Sequence, residues 1–268
     1  MDPRPIAMFD SGFGGLTVAR ALIDLLPHES LVYVGDTGRY PYGPRDLEEV
    51  AGFARQIARH LVEEYDAKML VVACNTAAAA APLPELAAEL GRPVVGVIEP
   101  GVRSLLKATE TGRVGVIGTV GTIGSGAYQA AVAGIDPAAE LTCAACPGFV
   151  EFVERGETES EQVRILAQRL LAPLHDAKVD ALLLGCTHYP FLAHTIRTVM
   201  GREVVLVSSA DETAFEIREA LRGSDLAGDG AGGGPSYRFL SSGDVAWFEE
   251  LGRRLLGPEL LQAQACPW

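Results

Sequence analysis

Two cysteines, Cys74 and Cys186, have similar polar neighbours, in Ala73-Cys-Asn-Thr76 and Gly185-Cys-Thr-His-Tyr-Pro190. Two thiols on opposite sides of a bound molecule could remove a proton from one face of a carbon atom and donate one to the other face. Each cysteine follows an apolar run and precedes a predicted helix, whose N-terminus favours an anion, so we expect lowered thiol pKa values. Either cysteine alone could instead be a small core residue, but the paired placement favours chemistry.

Further polar residues lie beside the thiols or at the ends of other predicted strands. Asp10 could orient a thiol or accept its proton through water, or it could cap a helix. His188 could assist Cys186 or meet a substrate carboxylate. The remaining polar neighbours suit an anion-binding site better than an apolar core, and they are Asn75, Thr76, Thr119, Thr122 and Thr187.

The residue types expected for cofactor chemistry are poorly placed in this sequence. Of the three lysines, Lys68 and Lys178 precede strands and Lys107 has no motif around it, so a pyridoxal-phosphate Schiff base is not expected. The five histidines are scattered, and Cys143-Ala-Ala-Cys146 is a single pair, so we expect no metal. We therefore predict chemistry without a cofactor.

Short apolar runs alternate with segments of helical period, which predicts an α/β fold with mostly parallel sheets. The predicted strands are Ile6–Asp10, Leu31–Gly35, Met69–Ala73, Val94–Ile98, Val114–Ile117, Ala181–Leu184 and Val204–Val207. The predicted helices are Leu16–Leu26, Leu47–Tyr65, Gln162–Leu174, Phe191–Met200, Asp211–Leu221 and Val245–Leu256. The glycine-rich segment Gly228–Pro235 is interpreted as a surface loop.

Three of these strand segments recur later in the chain, which predicts two related α/β halves. The segments beginning at Ile6, Val71 and Val94 resemble those beginning at Val114, Leu183 and Val204, at offsets of 108, 112 and 110 residues. Ligands bind at the carboxyl ends of strands in open parallel sheets. We therefore expect Cys74 and Cys186 to lie on opposite walls of one cleft.

The composition indicates a globular protein, and it says little about a small-molecule site because local groups override net charge there. Hydrophobic residues make up 48% of the chain and the net charge is −13, which argues against a large nucleic-acid footprint. No secretory signal is visible and no apolar run is long enough to span a membrane. We expect a cytoplasmic protein that needs no nucleic-acid or membrane partner, and a homodimer is one arrangement that the sequence allows.

The motifs together resemble those of the bacterial glutamate racemases. The resemblance rests on Asp10-Ser-Gly-Phe-Gly-Gly15, Asp36-Thr-Gly-Arg-Tyr-Pro-Tyr-Gly43, the two cysteine motifs and Phe239-Leu-Ser-Ser-Gly-Asp244. It implies two pseudo-symmetric α/β domains with the active site in the cleft between them, formed by residues 1–98 plus 210–268 and by residues 99–209. It also implies cofactor-independent interconversion of L- and D-glutamate, which supplies D-glutamate for peptidoglycan.

Carried over by position, the resemblance implies roles for individual residues. Cys74 and Cys186 would be the acid/base thiols, assisted by Asp10, His188 and Glu154. Substrate contacts would be Ser11, Tyr42, Gly43, Asn75, Thr76, Thr119, Thr122 and Thr187.

Other functions compatible with these residues stay open on the sequence alone. One is racemisation of aspartate or another small amino acid. A second is a two-lobed protein that binds an acidic ligand without turnover. A third is a protein-interaction role, since some members of the family that this sequence resembles inhibit DNA gyrase.

Overall fold

The computed structural model describes residues 2–224, 226–228 and 234–266, and it divides into two compact units. The first unit contains the chain up to Val97 together with the chain from Ala210, and the second contains Ile98–Ser209. Residues 229–233 of the predicted glycine-rich loop lie outside the described residues. Among the residues described, no helix is both long and apolar enough to cross a membrane.

The strands form one parallel sheet in each unit. In chain order they are β1 (Ile6–Asp10), β2 (Leu31–Gly35), β3 (Met69–Val72), β4 (Val94–Gly96), β5 (Arg113–Gly118), β6 (Glu140–Ala145), β7 (Ala181–Gly185), β8 (Val205–Val207), β9 (Tyr237–Ser241) and β10 (Ala263–Ala265). The first unit has the strand order β10-β9-β2-β1-β3-β4, and the second has β6-β5-β7-β8. This confirms the predicted α/β class with parallel sheets.

Helices connect the strands of each sheet. They are α1 (Leu16–Leu25), α2 (Leu47–Tyr65), α3 (Asn75–Ala80), α4 (Leu83–Leu90), α5 (Ile98–Ala108), α6 (Val120–Gly124), α7 (Ala127–Ile135), α8 (Phe149–Glu154), α9 (Glu161–Asp176), α10 (Ala193–Met200), α11 (Ala210–Gly223) and α12 (Val245–Leu256). Short 3₁₀ turns lie at Tyr189–Leu192 and Gly257–Glu259. Several helices begin at side-chain caps that the sequence supplies, as at Asp46, Ser160 and Asp244.

The two sheets share one strand order. β2-β1-β3-β4 in the first unit corresponds to β6-β5-β7-β8 in the second, with the sequence repeat pairing β1 with β5, β3 with β7 and β4 with β8. β1, β2, β3 and β7 are buried along their whole length. Covering of both faces by helices explains why these strands are continuous apolar runs rather than alternating ones.

Some predicted boundaries are wrong at the ends of elements. The predicted strand Val94–Ile98 ends at Gly96, and Ile98 begins α5. The predicted helix Phe191–Met200 begins as an α-helix only at Ala193, because the preceding residues form a 3₁₀ turn. β6, β9 and β10 were not predicted, since each is partly exposed and lacks a long apolar run.

A buried ion pair lies at the amino ends of the strands in the first unit. Lys68, which precedes β3, is fully buried and donates from Nζ to Glu29 Oε2 at 2.6 Å and to the carbonyl of Asp2 at 2.9 Å. Glu29 Oε1 accepts a hydrogen bond from the N–H of Gly228 at 2.7 Å. The pair therefore holds both the N-terminal segment and the chain after α11 against the sheet.

Lys68→Met is expected to lower the free energy of unfolding by about 3–5 kcal/mol, because it leaves the Glu29 carboxylate buried without its cation. Urea unfolding at pH 7 measures the change. The matched control is Arg254→Met, which removes the exposed pair that Arg254 forms with Glu250 at 2.7 Å. That change is expected to cost less than about 1 kcal/mol. Equal losses in the two variants would contradict a buried, stabilising role for Lys68.

Candidate functional site

The first group of predicted site residues lies at the carboxyl ends of β1 and β3. These strands are parallel neighbours, with Phe9 paired to Val72, so Asp10, the last residue of β1, and Cys74, two residues beyond β3, lie at the same edge of the sheet. Asp10 is fully buried, and its Oδ2 accepts hydrogen bonds from the N–H groups of Gly12 and Gly15, each at 3.1 Å. Its Oδ1 has no hydrogen-bond partner among the described residues.

The loop between β1 and α1 is shaped to hold this carboxylate. The N-cap of α1 is Gly15 and makes no side-chain cap, so Asp10 binds the loop rather than capping the helix directly. A Cβ on Gly15 would lie 2.7 Å from the Asp10 Cβ and 2.9 Å from the Tyr33 hydroxyl, so only glycine fits there. The Tyr33 hydroxyl donates to the carbonyl of Gly12 at 3.2 Å and fixes the loop from β2.

Cys74 is buried, with a side chain in contact with polar groups. It is 5% exposed, its Sγ lies 3.8 Å from Ser11 Oγ, and it caps α3 by accepting from the N–H of Ala77 at 3.5 Å. Burial, and then the charge of Asp10, raise the pKa of the Cys74 thiol to about 12. The expectation of a lowered pKa is therefore wrong for this thiol, since a six-residue helix does not offset burial beside a carboxylate.

The Asp10 carboxyl group is affected by the same environment. Burial raises its pKa above the ordinary value, while the N–H groups of Gly15 and Gly12 act in the opposite direction. Burial thus disfavours a charge on both groups; the charge of Asp10 further disfavours a thiolate at Cys74, whereas the Cys74 thiol lowers the pKa of Asp10. A thiol and a carboxylate in this relation favour the state in which the thiol keeps its proton.

The other predicted residues of the first unit lie in the segments around these two. Asn75 and Thr76 are buried in the first turn of α3. Tyr42 is buried and donates its hydroxyl hydrogen to Asp36 Oδ2, and the half-buried Gly43 follows it. Burial, and then the charge of Asp36, raise the pKa of Tyr42.

In the second unit, Cys186 follows β7 at the carboxyl edge of the sheet. It is 7% exposed and is followed by the 3₁₀ turn Tyr189–Leu192 rather than by the first turn of an α-helix. The α-helix expected after this cysteine therefore begins further along the chain than predicted. The turn is fixed by Tyr189, which donates to the carbonyl of Cys146 at 3.1 Å and packs edge-on against Phe149.

His188 lies two residues beyond Cys186 and is almost completely buried, at 2% exposure. Burial lowers the pKa of its imidazole to about 4, so the ring is neutral near pH 7. Its Nδ1 lies 3.5 Å from the hydroxyl oxygen of Thr187. A neutral imidazole donates a hydrogen bond from one ring nitrogen and accepts one at the other, and it carries no positive charge.

Thr119 and Thr122 follow β5, the strand next to β7. Gly118 at the end of β5 pairs with Gly185 at the end of β7. Thr119 and Cys186 directly follow the two strands and therefore lie at the same edge of the sheet. The Oγ1 atoms of Thr119 and Thr122 are 2.9 Å apart, and Thr119 caps α6 through the N–H of Thr122 at 3.2 Å. The predicted hydroxyls of this unit and Cys186 therefore lie at one sheet edge.

Glu154 is the last residue of α8, which packs against the turn that follows Cys186. It is half-buried, with its Oε1 enclosed by the protein. Its assignment as an assisting group stays a prediction.

Sequence reasoning missed two residues that hold the first group together. Tyr33 lies within the predicted apolar strand Leu31–Gly35, and Asp36 begins the motif that ends at Gly43. Neither residue is assigned a role from the sequence. Both side chains are fully buried; Tyr33 lies in the middle of β2 and Asp36 directly follows that strand. The available signal was the hydroxyl of Tyr33 within an otherwise apolar run.

The other two cysteines of the second unit lie on β6 and directly after it, where the carbonyl of Cys146 accepts the hydroxyl hydrogen of Tyr189. Burial raises the pKa of Cys143 to about 11 and that of Cys146 to about 12. Lys68 is bound to Glu29 at the opposite edge of its sheet. Within the described parts of the chain, no three His, Cys, Asp or Glu side chains are grouped as metal ligands.

Known proteins are similar to this chain in both sequence and fold. A glutamate racemase of Beutenbergia cavernae is 51% identical over 97% of this chain and 92% of its own length. A crystal structure of a glutamate racemase isoform from Bacillus anthracis is 41% identical, with a TM-score of 0.92, over 100% of this chain and 98% of that one. A glutamate racemase of Francisella tularensis, solved in complex with D-glutamate, is 32% identical, with a TM-score of 0.90, over 99% of this chain and 98% of that one.

The family model of the Asp/Glu/hydantoin racemases matches residues 16–214, which include Cys74, Cys186 and most of the polar residues described above. Because the match extends over most of the chain and the most similar relatives cover nearly all of it, the resemblance stated from the motifs is confirmed. This chain belongs to the Asp/Glu/hydantoin racemase family.

Proposed function

We propose that this chain interconverts L- and D-glutamate by proton transfer at the α-carbon, with Cys74 and Cys186 as the two acid/base groups. The strongest support is the pair of buried thiols, each directly after a central strand of a parallel sheet, in a chain about half identical to glutamate racemases. A base on one face of a carbon and an acid on the other invert its configuration. Two thiols meet this requirement without a bound cofactor.

The proton of Cys74 must leave before this thiol can act as a base. Asp10 is the acceptor in our proposal, because its Oδ1 has no hydrogen-bond partner among the described residues and its raised pKa makes it a better base than an exposed carboxylate. Transfer from Sγ to Asp10 leaves a thiolate and a neutral carboxyl group. The thiolate then takes the α-proton of the substrate.

The carbanion that results takes a proton from the thiol of Cys186, which becomes a thiolate. The reverse direction begins from Cys186 and ends at Cys74. His188 is neutral, so its role here is to hold or exchange a proton by hydrogen bonding rather than to attract charge.

Charge on the substrate carboxylate grows as the α-proton leaves. Fixed donors aimed at that charge would stabilise the transition state more than the bound amino acid. We assign this stabilisation and the binding of the substrate to the polar residues at the two sheet edges, with Tyr42 and Gly43 serving substrate binding alone. The residues are Ser11, Tyr42, Gly43, Asn75, Thr76, Thr119, Thr122 and Thr187. Glu154, at the end of the helix that packs against the turn after Cys186, is assigned as a further assisting group.

The wider role of the reaction is part of the proposal. D-Glutamate would be supplied for peptidoglycan synthesis in the cytoplasm, and a homodimer is the assembly that we propose. These statements rest on the resemblance to glutamate racemases.

Cys74→Ala and Cys186→Ala are each expected to lower kcat/KM for racemisation about 10²–10⁴-fold or more, since each removes one acid/base group. Circular dichroism of L- and of D-glutamate with purified protein measures both directions. In D₂O, the wild-type product should carry deuterium at the α-carbon. L-Aspartate, assayed in parallel, tests the alternative substrate.

The matched control is Cys143→Ala, which removes a half-buried thiol on β6 and should leave turnover at the wild-type rate. Wild-type turnover in either site variant would contradict the two-thiol mechanism. Binding of glutamate by the wild-type chain with no change of optical activity would instead identify a non-catalytic binding protein.

Asp10→Asn is expected to raise the melting temperature at pH 7 while lowering kcat. The folded-state pKa of Asp10 is raised, so the folded chain binds this proton more tightly than the unfolded chain. The free energy of unfolding therefore falls as the pH rises from the pKa of Asp10 in the unfolded chain to its pKa in the folded chain. At higher pH the free energy of unfolding stays reduced. An amide removes the buried charge and can still accept the N–H groups of the loop, but it is not a base.

Asp180→Asn provides the control with the opposite sign. Although burial opposes it, hydrogen bonds from Thr109 and from the N–H groups of Glu110 and Thr111 lower the pKa of Asp180 to about 2. Its contribution to stability is present above the unfolded value and is lost as pH falls towards 2. Thermal unfolding at pH 7 should show Asp180→Asn less stable than wild type, and a decrease for Asp10→Asn as well would contradict the assignment.

A further inference from the structure

The motif Phe239-Leu-Ser-Ser-Gly-Asp244 has no role in the proposed chemistry. It lies beside Asp36–Gly43, the substrate segment, which contains the proposed substrate contacts Tyr42 and Gly43. β9 is parallel to β2, and Ser241 pairs with Gly35. The residues after β9 therefore lie next to the segment that starts at Asp36 and leads to Tyr42.

Hydrogen bonds join these two segments along their length. Ser242 Oγ donates to Asp36 Oδ1 at 2.5 Å and accepts from the N–H of Gly38 at 3.0 Å. The hydroxyl oxygens of Thr37 and Ser241 are 2.7 Å apart. The side chain of Ser242 thus contacts both the backbone and the carboxylate of the opposite segment.

The backbones approach so closely that a side chain would not fit between them. A Cβ on Gly243 would lie 2.7 Å from Thr37 Oγ1 and 2.8 Å from the backbone nitrogen of Gly38. The N–H of Gly243 itself donates to Thr37 Oγ1 at 2.9 Å. The contact is therefore a fixed feature of the first unit.

Asp36 passes this constraint on to Tyr42. Asp36 is fully buried; while Oδ1 accepts from Ser242, Oδ2 accepts from Arg39 Nε at 2.7 Å and from the hydroxyl of Tyr42. Burial, and then the charge of Asp36, raise the pKa of Tyr42, so the phenol keeps its proton and donates it. One carboxylate thus binds the turn after β9 with one oxygen and the substrate segment with the other.

We propose that Ser242 and Asp36 are positioning residues for the reaction, which hold Tyr42 and Gly43 in place for an acidic amino acid through the hydrogen-bonded chain Ser242–Asp36–Tyr42. This inference rests on the proposed function. Neither residue reaches the reacting atoms, so their loss acts on substrate binding rather than on proton transfer.

Ser242→Ala is expected to raise KM for glutamate roughly tenfold, with kcat changed less than about threefold, since it removes one hydrogen bond to a charged group. Ser242→Thr, which keeps the hydroxyl, should restore KM. Asp36→Asn provides a second variant, with a KM that rises in the same direction. Initial rates of racemisation and thermal unfolding are measured for each.

A double-mutant cycle tests whether Ser242 acts through Tyr42. The effects of Ser242→Ala and Tyr42→Phe on KM should be less than additive, because both break the same chain. The matched control is Ser236→Ala, at the exposed opposite end of β9, which should keep the wild-type KM.

The outcomes separate this inference from the proposed function. A wild-type chain that does not racemise glutamate refutes the function itself. An active wild type with an unchanged KM in Ser242→Ala refutes only the positioning role. A fall in both kcat and the melting temperature of Ser242→Ala that Ser242→Thr does not reverse would also overturn it. Such a result would indicate that the serine has a structural role only.

Discussion

The candidate site residues of the first unit depend on one constraint, which is that a thiol and a carboxylate are buried together at the end of two neighbouring parallel strands. The register of β1 with β3 places Asp10 and Cys74 at the same edge, and the helices that cover the sheet keep water away from both. Burial penalises a charge on either group. Both groups therefore resist ionisation, and in our proposal the thiol proton passes to the carboxylate when Cys74 acts as a base.

The repeated fold does not repeat this arrangement. In the sequence alignment of the halves, Gly118 of the second unit corresponds to Asp10, and His188 corresponds to Thr76. The second thiol thus has a neutral imidazole nearby instead of a carboxylate at the adjacent strand end. The same strand order consequently places the two thiols near different titratable side chains, a carboxyl group in the first unit and an imidazole in the second.

Much of this arrangement could be predicted from the sequence because parallel strands buried on both faces leave strong apolar runs. Strands such as β1 and β2 were therefore found with their observed bounds, and the residues after them pointed to the site. The edge strand β6 and the strand β9, which lies between β10 and β2, were missed because pairing with neighbours, not local pattern, makes them strands. The pKa of Cys74 was predicted in the wrong direction, since burial depends on the whole fold whereas a helix N-terminus can be identified locally.

The first unit is interrupted in the chain, because β9 and β10 join its sheet only after all of the second unit has been passed. During synthesis, the ribosome therefore delivers β1 to β4 first and their last partners more than a hundred residues later. Meanwhile β2 exposes an unpaired edge to the solvent, whereas the second unit has every strand of its own sheet in one continuous stretch. Non-local pairing of this kind is slow to form, so the second unit has the opportunity to fold first, and the segment around Asp36 acquires its partners only when translation is nearly over.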